Sequence, residues 1–521
     1  MRGSYGWGVA ILTISLAACG DGPAPPPEQD HTRATSPRVQ ASESERPQWE
    51  KYLAEVKKAE ALDDPLKTCL AYPDLPGQQW PAGAAKARCL ILRESELTLE
   101  RIAAVLDAPD GGQQLDAFYA ASLQAHYQGG DHADQLFIDF EMWDDSEEAS
   151  TLSERWLRVV PESGYAQTAR GLVRLKEAVS ARGSDVIDET SPEQLRGMAG
   201  GMRRALPLLE RALAAQPRLS PACDGQFKIG QYMSDAALRE QARATCRRID
   251  PGSFYVISDW LFQAEPKWGG TRAELDAVVT HIRAQQAAHP ALASLVGDMK
   301  QADALFALWG NAQLEPYSAL LATIPAQRPQ PNLIGYAAKD AYFNKSDYLT
   351  AAGYASQALR FMPKQVYWRK LRAAAYDRIG RYDDAMRDGR RLIALGKADA
   401  FLYQSIGHSA LKLGQNDLAR EWLGNALVGA PDPHWTYHNW CQLQITPQLF
   451  ADKALSCTKE LVEKYPNDPR SFFMRAWVLM DVGDPRAEAM ADRFFAAADP
   501  KDPTQASFIQ QLRQRMGKPA Q

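Results

Sequence analysis

The sequence predicts an all-α chain: an α-solenoid of helical hairpins, regular in its C-terminal third and less regular before it. Three observations carry this. Ala351, Ala385 and Ala419 stand 34 residues apart, and Tyr342 with Tyr376, Tyr348 with Tyr382, and Gly380 with Gly414 keep that interval. A fixed period of this length marks helix–turn–helix units, each of which buries its apolar face only against a neighbour. Upstream, apolar residues recur at three- and four-residue steps, one helix face at a time, and prolines are expected between helices rather than inside them. Stacked hairpins present an extended surface, so the first expectation is a chain that holds another protein.

The chain has 521 residues and a net charge of −5. It is long enough for two or more domains, and no basic stripe points to nucleic acid or to an anionic membrane surface. The first segment, 1–18, has Arg2 followed by an apolar run from Trp7 to Leu16 and then Leu16-Ala17-Ala18-Cys19. That run is too short to span a bilayer, which takes ~20 apolar residues. It resembles a bacterial lipoprotein signal, and the resemblance implies that Cys19 carries the lipid on the mature protein. Gly20 after the cysteine resembles the pattern of lipoproteins sent to the outer membrane. Residues 19–47 hold Pro23, Pro25, Pro26 and Pro27 among polar residues. Such a composition buries too little apolar surface to order and is expected to act as a tether.

Six further cysteines fall into three local pairs: Cys69 with Cys89, Cys223 with Cys246, and Cys441 with Cys457. In an exported chain an even count is expected to oxidise. An antiparallel hairpin favours the local pairing; the alternative is that they stay as free buried thiols.

The region 48–149 opens with Trp49, Tyr52, Leu53, Val56 and Leu62 on one helical face, broken by Tyr72-Pro73-Asp74-Leu75-Pro76-Gly77. Amphipathic runs are expected over about 84–107 and 113–128. Asp134, Asp139, Glu141, Asp144, Asp145, Glu147 and Glu148 then read as a solvated helix face, since a calcium loop needs a glycine turn that is missing. In 150–331, Ala205 to Pro217 and Ala236 to Pro251 read as helices. Pro266-Lys267-Trp268-Gly269-Gly270 stops one helix, and Thr271-Arg272-Ala273-Glu274 caps the next. Trp156, Arg170-Gly171 and the Trp-Gly-Gly motif together resemble an uncharacterised bacterial family known only as a domain of unknown function, often fused to helical repeats. No activity comes with that resemblance.

From 332 to 501 the units resemble tetratricopeptide repeats. The unit 400–433 matches best, with Tyr403, Gly407, Gly414, Ala419, Leu423, Ala426 and Pro431. Units at 332–365 and 366–399 precede it, a fourth ends at Pro466, a fifth runs to Pro500, and 502–521 supplies a capping helix and tail. The resemblance implies a concave face lined by the first helix of each unit. It places Tyr336, Tyr367, Lys370, Arg378, Phe401, Gln404, His408, Lys412 and Trp435 there as partner-binding residues, with Asp340, Phe343, Asn344, Asp377 and His438 beside them.

No catalytic set stands out. Nucleophile-elbow, phosphate-loop and zinc-protease motifs are missing, and His434, His438 and Cys441 offer only half a zinc site. The expectation is no catalytic residue, no metal and no cofactor. Partners are expected to be envelope proteins or peptides in the groove and a membrane through the lipid, with the protein facing the periplasm and the outer membrane favoured. The competing expectation is an enzyme or regulatory subunit with its site in 150–330.

Overall fold

The computed structural model describes residues 45–517 apart from 63, 79, 184–188, 266–268, 311, 328–329, 428, 430–432 and 446–450. Among the described residues the chain is all-helical, with no strand. It forms an α-solenoid of hairpins. The described residues divide into two compact units, one built on 47–340 and 357–365, the other on 341–356 and the residues from 366 onward. The division falls inside the helices Pro331–Phe343 and Tyr348–Phe361.

The N-terminal unit starts its helices with polar caps at the positions where helix N–H groups lack partners. Thr98, Ser146, Ser163, Asp235 and Ser253 each accept from the third residue beyond. Thr271 and Glu274 form the reciprocal capping box read from the sequence, and Ser191 with Gln194 forms a second. Gly270 follows from packing rather than from backbone freedom: a Cβ there would sit 2.3 Å from the Ala264 carbonyl oxygen. Pro266, Lys267 and Trp268 lie outside the described residues.

Of the residues that carried the family resemblance, Trp156, Arg170 and Gly171 are structural in this unit. Trp156 is fully buried, donates from its indole N–H to the Gly112 carbonyl and the Asp116 carboxylate at 3.2 Å, and stacks between Tyr119 and Trp143. Buried Arg170 donates to the Ser150 carbonyl at 3.0 Å and to Glu154 at 3.1 Å. Gly171 lets two long helices, Gly164–Arg182 and Pro192–Ala215, approach closely; a Cβ would meet Leu209 Cδ2 at 2.6 Å.

Four expectations are corrected here. The run 84–107 is two short helices, Ala84–Leu90 and Leu99–Leu106, with an irregular link between them. The helix expected from Ala205 begins much earlier, as Pro192–Ala215. Prolines do occur inside helices: Pro207 in that helix and Pro325 in Ser318–Gln327. The acidic stretch is not a solvated face throughout. Asp134 and Asp139 are buried, because seryl hydroxyls and a backbone N–H from distant elements satisfy their oxygens. Asp134 accepts from Ser253 Oγ at 2.7 Å and Phe254 N at 3.0 Å, and Asp139 from Ser95 Oγ at 2.7 Å and Ser122 Oγ at 2.6 Å.

Downstream the hairpins become regular: Val366–Arg378 with Tyr382–Ala394, Ala400–Lys412 with Asn416–Ala426, Pro433–Ile445 with Ala451–Lys464, and Pro469–Asp481 with Ala487–Ala497. Helix Pro503–Arg515 closes the array. Gly380 and Gly414 take positive φ, +79° and +71°, at the turn inside their hairpins, which a side chain resists. Ala351, Ala385 and Ala419 are fully buried where two helices cross. Gly407 also sits at a close approach: a Cβ would come within 2.8 Å of Leu423 Cγ and 2.9 Å of Leu423 N.

The cysteines lie side by side as the hairpin geometry suggests. Cys69 with Cys89, Cys223 with Cys246, and Cys441 with Cys457 are at bonding distance, their Cα atoms 5.5, 5.6 and 5.7 Å apart. The second and third pairs each join the two helices of one hairpin, Ser220–Tyr232 to Ala236–Ile249 and Pro433–Ile445 to Ala451–Lys464.

Candidate functional site

In the C-terminal unit the first helices of successive hairpins pack on one another and form a continuous face. Its curvature shows in one pair of contacts. The rings of Tyr342 and Phe343, at the end of one first helix, lie 6.2 Å from Phe401, which starts the first helix two hairpins further on. A contact that skips a hairpin can form only on the inside of a curve. Phe343 is 37% exposed there, and Phe401 is half-buried beside it.

Arg378 and Lys412 occupy equivalent places one repeat apart, each at the last position of its helix, and both are exposed. The Arg378 guanidinium lies over the Tyr348 ring at 5.9 Å and hydrogen-bonds Tyr342. Burial pushes the Tyr342 hydroxyl up to about 12, so it stays protonated and offers its oxygen to the guanidinium.

The other expected groove residues are placed differently. Tyr367 is half-buried with its ring edge-on to Trp368 at 4.9 Å. Lys370 is 2.6 Å from Asp399 Oδ2. Gln404 is buried in the helix packing. His408 is half-buried, its Nδ1 2.8 Å from Asp377 Oδ1, which also accepts from Ser409 Oγ at 2.7 Å. Asp377 itself is buried. Tyr336 and Asp340 belong to the N-terminal unit: Tyr336 donates to the Leu308 carbonyl at 3.0 Å, and buried Asp340 accepts from Ser318 Oγ at 2.8 Å. The side chains of Trp435 and His434 lie outside the described residues, as do Cys19, the segment 1–18 and the tether to residue 44.

The structure thus brings Phe343, Phe401, Arg378 and Tyr342 into one cluster. Lys370 and His408 are tied to carboxylates, and Gln404 is withdrawn. The sequence reading missed the part of Tyr342 and Tyr348. Both had already been noted as repeat positions, and only the structure shows that they also hold Arg378.

A second polar feature in the N-terminal unit was also missed. The Lys228 ammonium lies 2.7 Å from Asp224 Oδ2 and 2.8 Å from Asp259 Oδ2, joining the helices Ser220–Tyr232 and Phe254–Gln263. The four-residue spacing of Asp224 and Lys228 puts both on one helix face. Burial pushes the Asp259 carboxyl up, against the pull of Lys228. Beside the helix cap Thr271, a pocket of about 340 Å³ is lined by Ala264, Leu275, Phe306 and Ala307, with the Arg272–Asp303 ion pair among its polar residues. Among the described residues no group of three or more His, Cys, Asp or Glu side chains could hold a metal ion. No described helix is long and apolar enough to cross a membrane.

No family model matches the chain, and no curated protein matches it. Solved structures do. One is the hetero-tetramer Cut9-Hcn1 of the APC/C, at 12% identity over 96% of this chain and 98% of that one, with a TM-score of 0.35. A second is Naa15/Naa10 bound to HypK-THB, at 13% identity over 77% of this chain and 66% of that one, with a TM-score of 0.22. A third is the TPR domain of P58(IPK), at 11% identity over 77% of this chain and 98% of that one, with a TM-score of 0.22. At these TM-scores nothing about function follows from the likeness.

Proposed function

We propose that the chain is a bacterial envelope lipoprotein that holds another protein on the inner face of its C-terminal hairpins. The observation that carries this is the Phe343–Phe401 contact across the curve, with exposed Arg378 and Lys412 on the same series of first helices. Exposed aromatic surface flanked by arginine is the composition of protein-binding patches. Cys19 after Leu16-Ala17-Ala18 supports lipid anchoring, with the tether 19–47 holding the folded units off the membrane. The lipid places the protein in the periplasm-facing envelope, in the outer membrane ahead of the inner. Its partners on this reading are envelope assembly, secretion or peptidoglycan-processing proteins.

The anchoring is tested by incorporation of a labelled fatty acid in cells. Wild-type protein takes up label and sediments with membranes. Cys19→Ser takes up none and is released. Labelled Cys19→Ser protein would overturn the assignment.

The competing reading, a ligand site in 150–330, draws on the pocket beside Thr271. That pocket, about 340 Å³, lies at the lower end of ligand-pocket sizes, and its Arg272 and Asp303 already neutralise each other at 2.6 Å. The groove is therefore the better supported site.

A further inference from the structure

Of the eight histidines in the chain, three converge on one short loop of the N-terminal unit. The loop is Asp250-Pro251-Gly252-Ser253, which joins the helices Ala236–Ile249 and Phe254–Gln263. His126, near the end of Gly111–Gln128, sets its Nε2 2.8 Å from Asp250 Oδ2 and 3.5 Å from Ser220 Oγ. His281 Nε2 lies 2.7 Å from the Pro251 carbonyl oxygen, which an Nε2–H satisfies. The His289 ring packs against Gly252, where a Cβ would fall 2.2 Å from its Cε1 and Nε2. Asp134 takes the far end of the loop, accepting from Ser253 Oγ at 2.7 Å and Phe254 N at 3.0 Å. His126, Asp134 and Asp250 are all buried. The first two stand more than 100 residues before their partners, so these contacts tie the region 111–140 to the loop.

We propose that this loop is a pH-responsive latch, closed when His126 and Asp134 hold their protons and loosened when both have lost them. The reason is the charge confined there. With both protons on, the His126 imidazolium faces the Asp250 carboxylate and Asp134 is neutral, so the buried charges cancel. With both off, Asp134 and Asp250 are two buried carboxylates beside a neutral imidazole, and like charges repel strongly in a low-dielectric interior. Both groups titrate in the range that matters. Burial, with the Asp250 charge adding to it, pushes the Asp134 carboxyl up to about 6. Burial would lower His126, but its hydrogen bond to Asp250 and that charge outweigh it. The latch therefore closes as pH falls toward 6 and loosens as it rises toward 8.

The other groups facing the cluster keep their charge over this interval. Burial lowers His281 and His289, so both are mostly neutral above pH 6. Tyr127 is pushed up by burial to about 12 and Tyr255 is also raised, so both stay protonated. Arg218 over the Tyr127 ring, Arg93 on the Ala133 carbonyl, Arg88 over the Phe254 ring and Arg247 beside His281 are cations throughout. They set the balance of charge at the loop without making it depend on pH.

Hydrogen exchange of the full-length protein in mild detergent tests the latch. It is read by mass spectrometry at pH 6 and pH 8 as protection factors, which removes the intrinsic pH dependence of exchange. Amides of 252–256 include the Phe254 N–H that Asp134 accepts. They are expected to lose about tenfold in protection at pH 8, while those of the helix Val366–Arg378 change less than about twofold. His126→Gln combined with Asp134→Asn removes both titrating groups and keeps polar atoms in their places; its loop should be equally protected at both pH values. Asp134→Asn alone, the milder change, should lose clearly less than wild type. His281→Gln should keep the wild-type loss, because that residue is mostly neutral across the interval. Equal wild-type protection at pH 6 and pH 8 would overturn the proposal, and that outcome needs no variant. A tenfold loss that persists without His126 and Asp134, or one shared by Val366–Arg378, would overturn it as well.

Discussion

Arg372 and Asp388 meet fork to fork in the interior of the C-terminal unit. Arg372 Nε lies 2.7 Å from Asp388 Oδ2 and Arg372 Nη2 lies 2.7 Å from Asp388 Oδ1, while Arg369 reaches the same carboxylate at 3.1 Å. All three side chains are buried. Burial alone would push the Asp388 carboxyl up, but the two guanidinium groups outweigh it and hold the carboxyl below the usual range. Removing the shared acceptor leaves two buried cations facing each other. Asp388→Ala is therefore expected to cost about 3–5 kcal/mol in urea unfolding followed by circular dichroism. A change below about 1 kcal/mol would show that the triad does not hold this hairpin.

Gly407 tests whether the small positions of the repeat are steric. A methyl group there has to displace Leu423, whose backbone nitrogen would be 2.9 Å away. Gly407→Ala is expected to destabilise despite the better helix propensity of alanine, and Gly407→Leu to lose several kcal/mol. The contrast is with Gly424, where nothing lies within 4 Å of an added Cβ and Gly424→Ala should be neutral or stabilising. Thermal melts of the three variants give the comparison directly.

The cysteine pairs predict a redox result. Protein recovered from an oxidising compartment should resist alkylation at Cys69, Cys89, Cys223, Cys246, Cys441 and Cys457 until a reductant is added. Peptide mapping should recover the three local pairs. Each bridge closes a loop of intermediate length, and its loss should cost about 2–4 kcal/mol. Crossed pairs joining two different hairpins would contradict the local scheme.

The N-terminal unit should be more stable at mildly acidic pH than above neutrality. Burial, with Asp250 adding to it, pushes the Asp134 carboxyl up to about 6. Burial would lower His126, but its hydrogen bond to Asp250 and that charge outweigh it and raise the imidazole. Both groups hold protons more tightly when folded, so stability is gained as pH falls through about 7 to 5 and lost as it rises. The Lys176 ammonium is lowered by burial to about 8, so its effect runs the other way only at still higher pH. His281 and His289 are lowered by burial and pull the other way below neutrality. The upward shifts of Asp134 and His126 are expected to outweigh them, so the melting temperature of the unit should drop between pH 5 and pH 8. Asp134→Asn should flatten that slope; a melting temperature that rises over the interval would contradict the assignment.

How much of this was legible in the sequence follows from the range of each interaction. Hairpin starts at Val366 and Ala400 stand one 34-residue period apart, the interval that Gly380, Gly414 and the alanines had marked. Turn glycines and close-packed alanines act within one hairpin, so their spacing records them. The burial of Asp134 could not be read that way, because its partners Ser253 and Phe254 lie more than 100 residues on. Pattern reading treated a run of acids as solvated because nothing local contradicted it. The same holds in the groove. Repeat position proposed Gln404 and Lys370 as contacts, but the neighbouring helix buries the first and Asp399 engages the second. Phe343 and Arg378 keep exposed surface, and their setting depends on Phe401 and Tyr342, which lie in other hairpins.

The central claim is that the inner face of the C-terminal hairpins holds a partner protein, and site-specific photocrosslinking in cells tests it most directly. A photoreactive residue at position 343, 401 or 412 should yield one and the same crosslinked protein. Positions 390 and 421, exposed on second helices, should yield none of it. Mass spectrometry of the adduct would then name the partner and the segment that fills the groove. Crosslinks from 390 and 421 alone, or no discrete product from any inner position, would contradict the account.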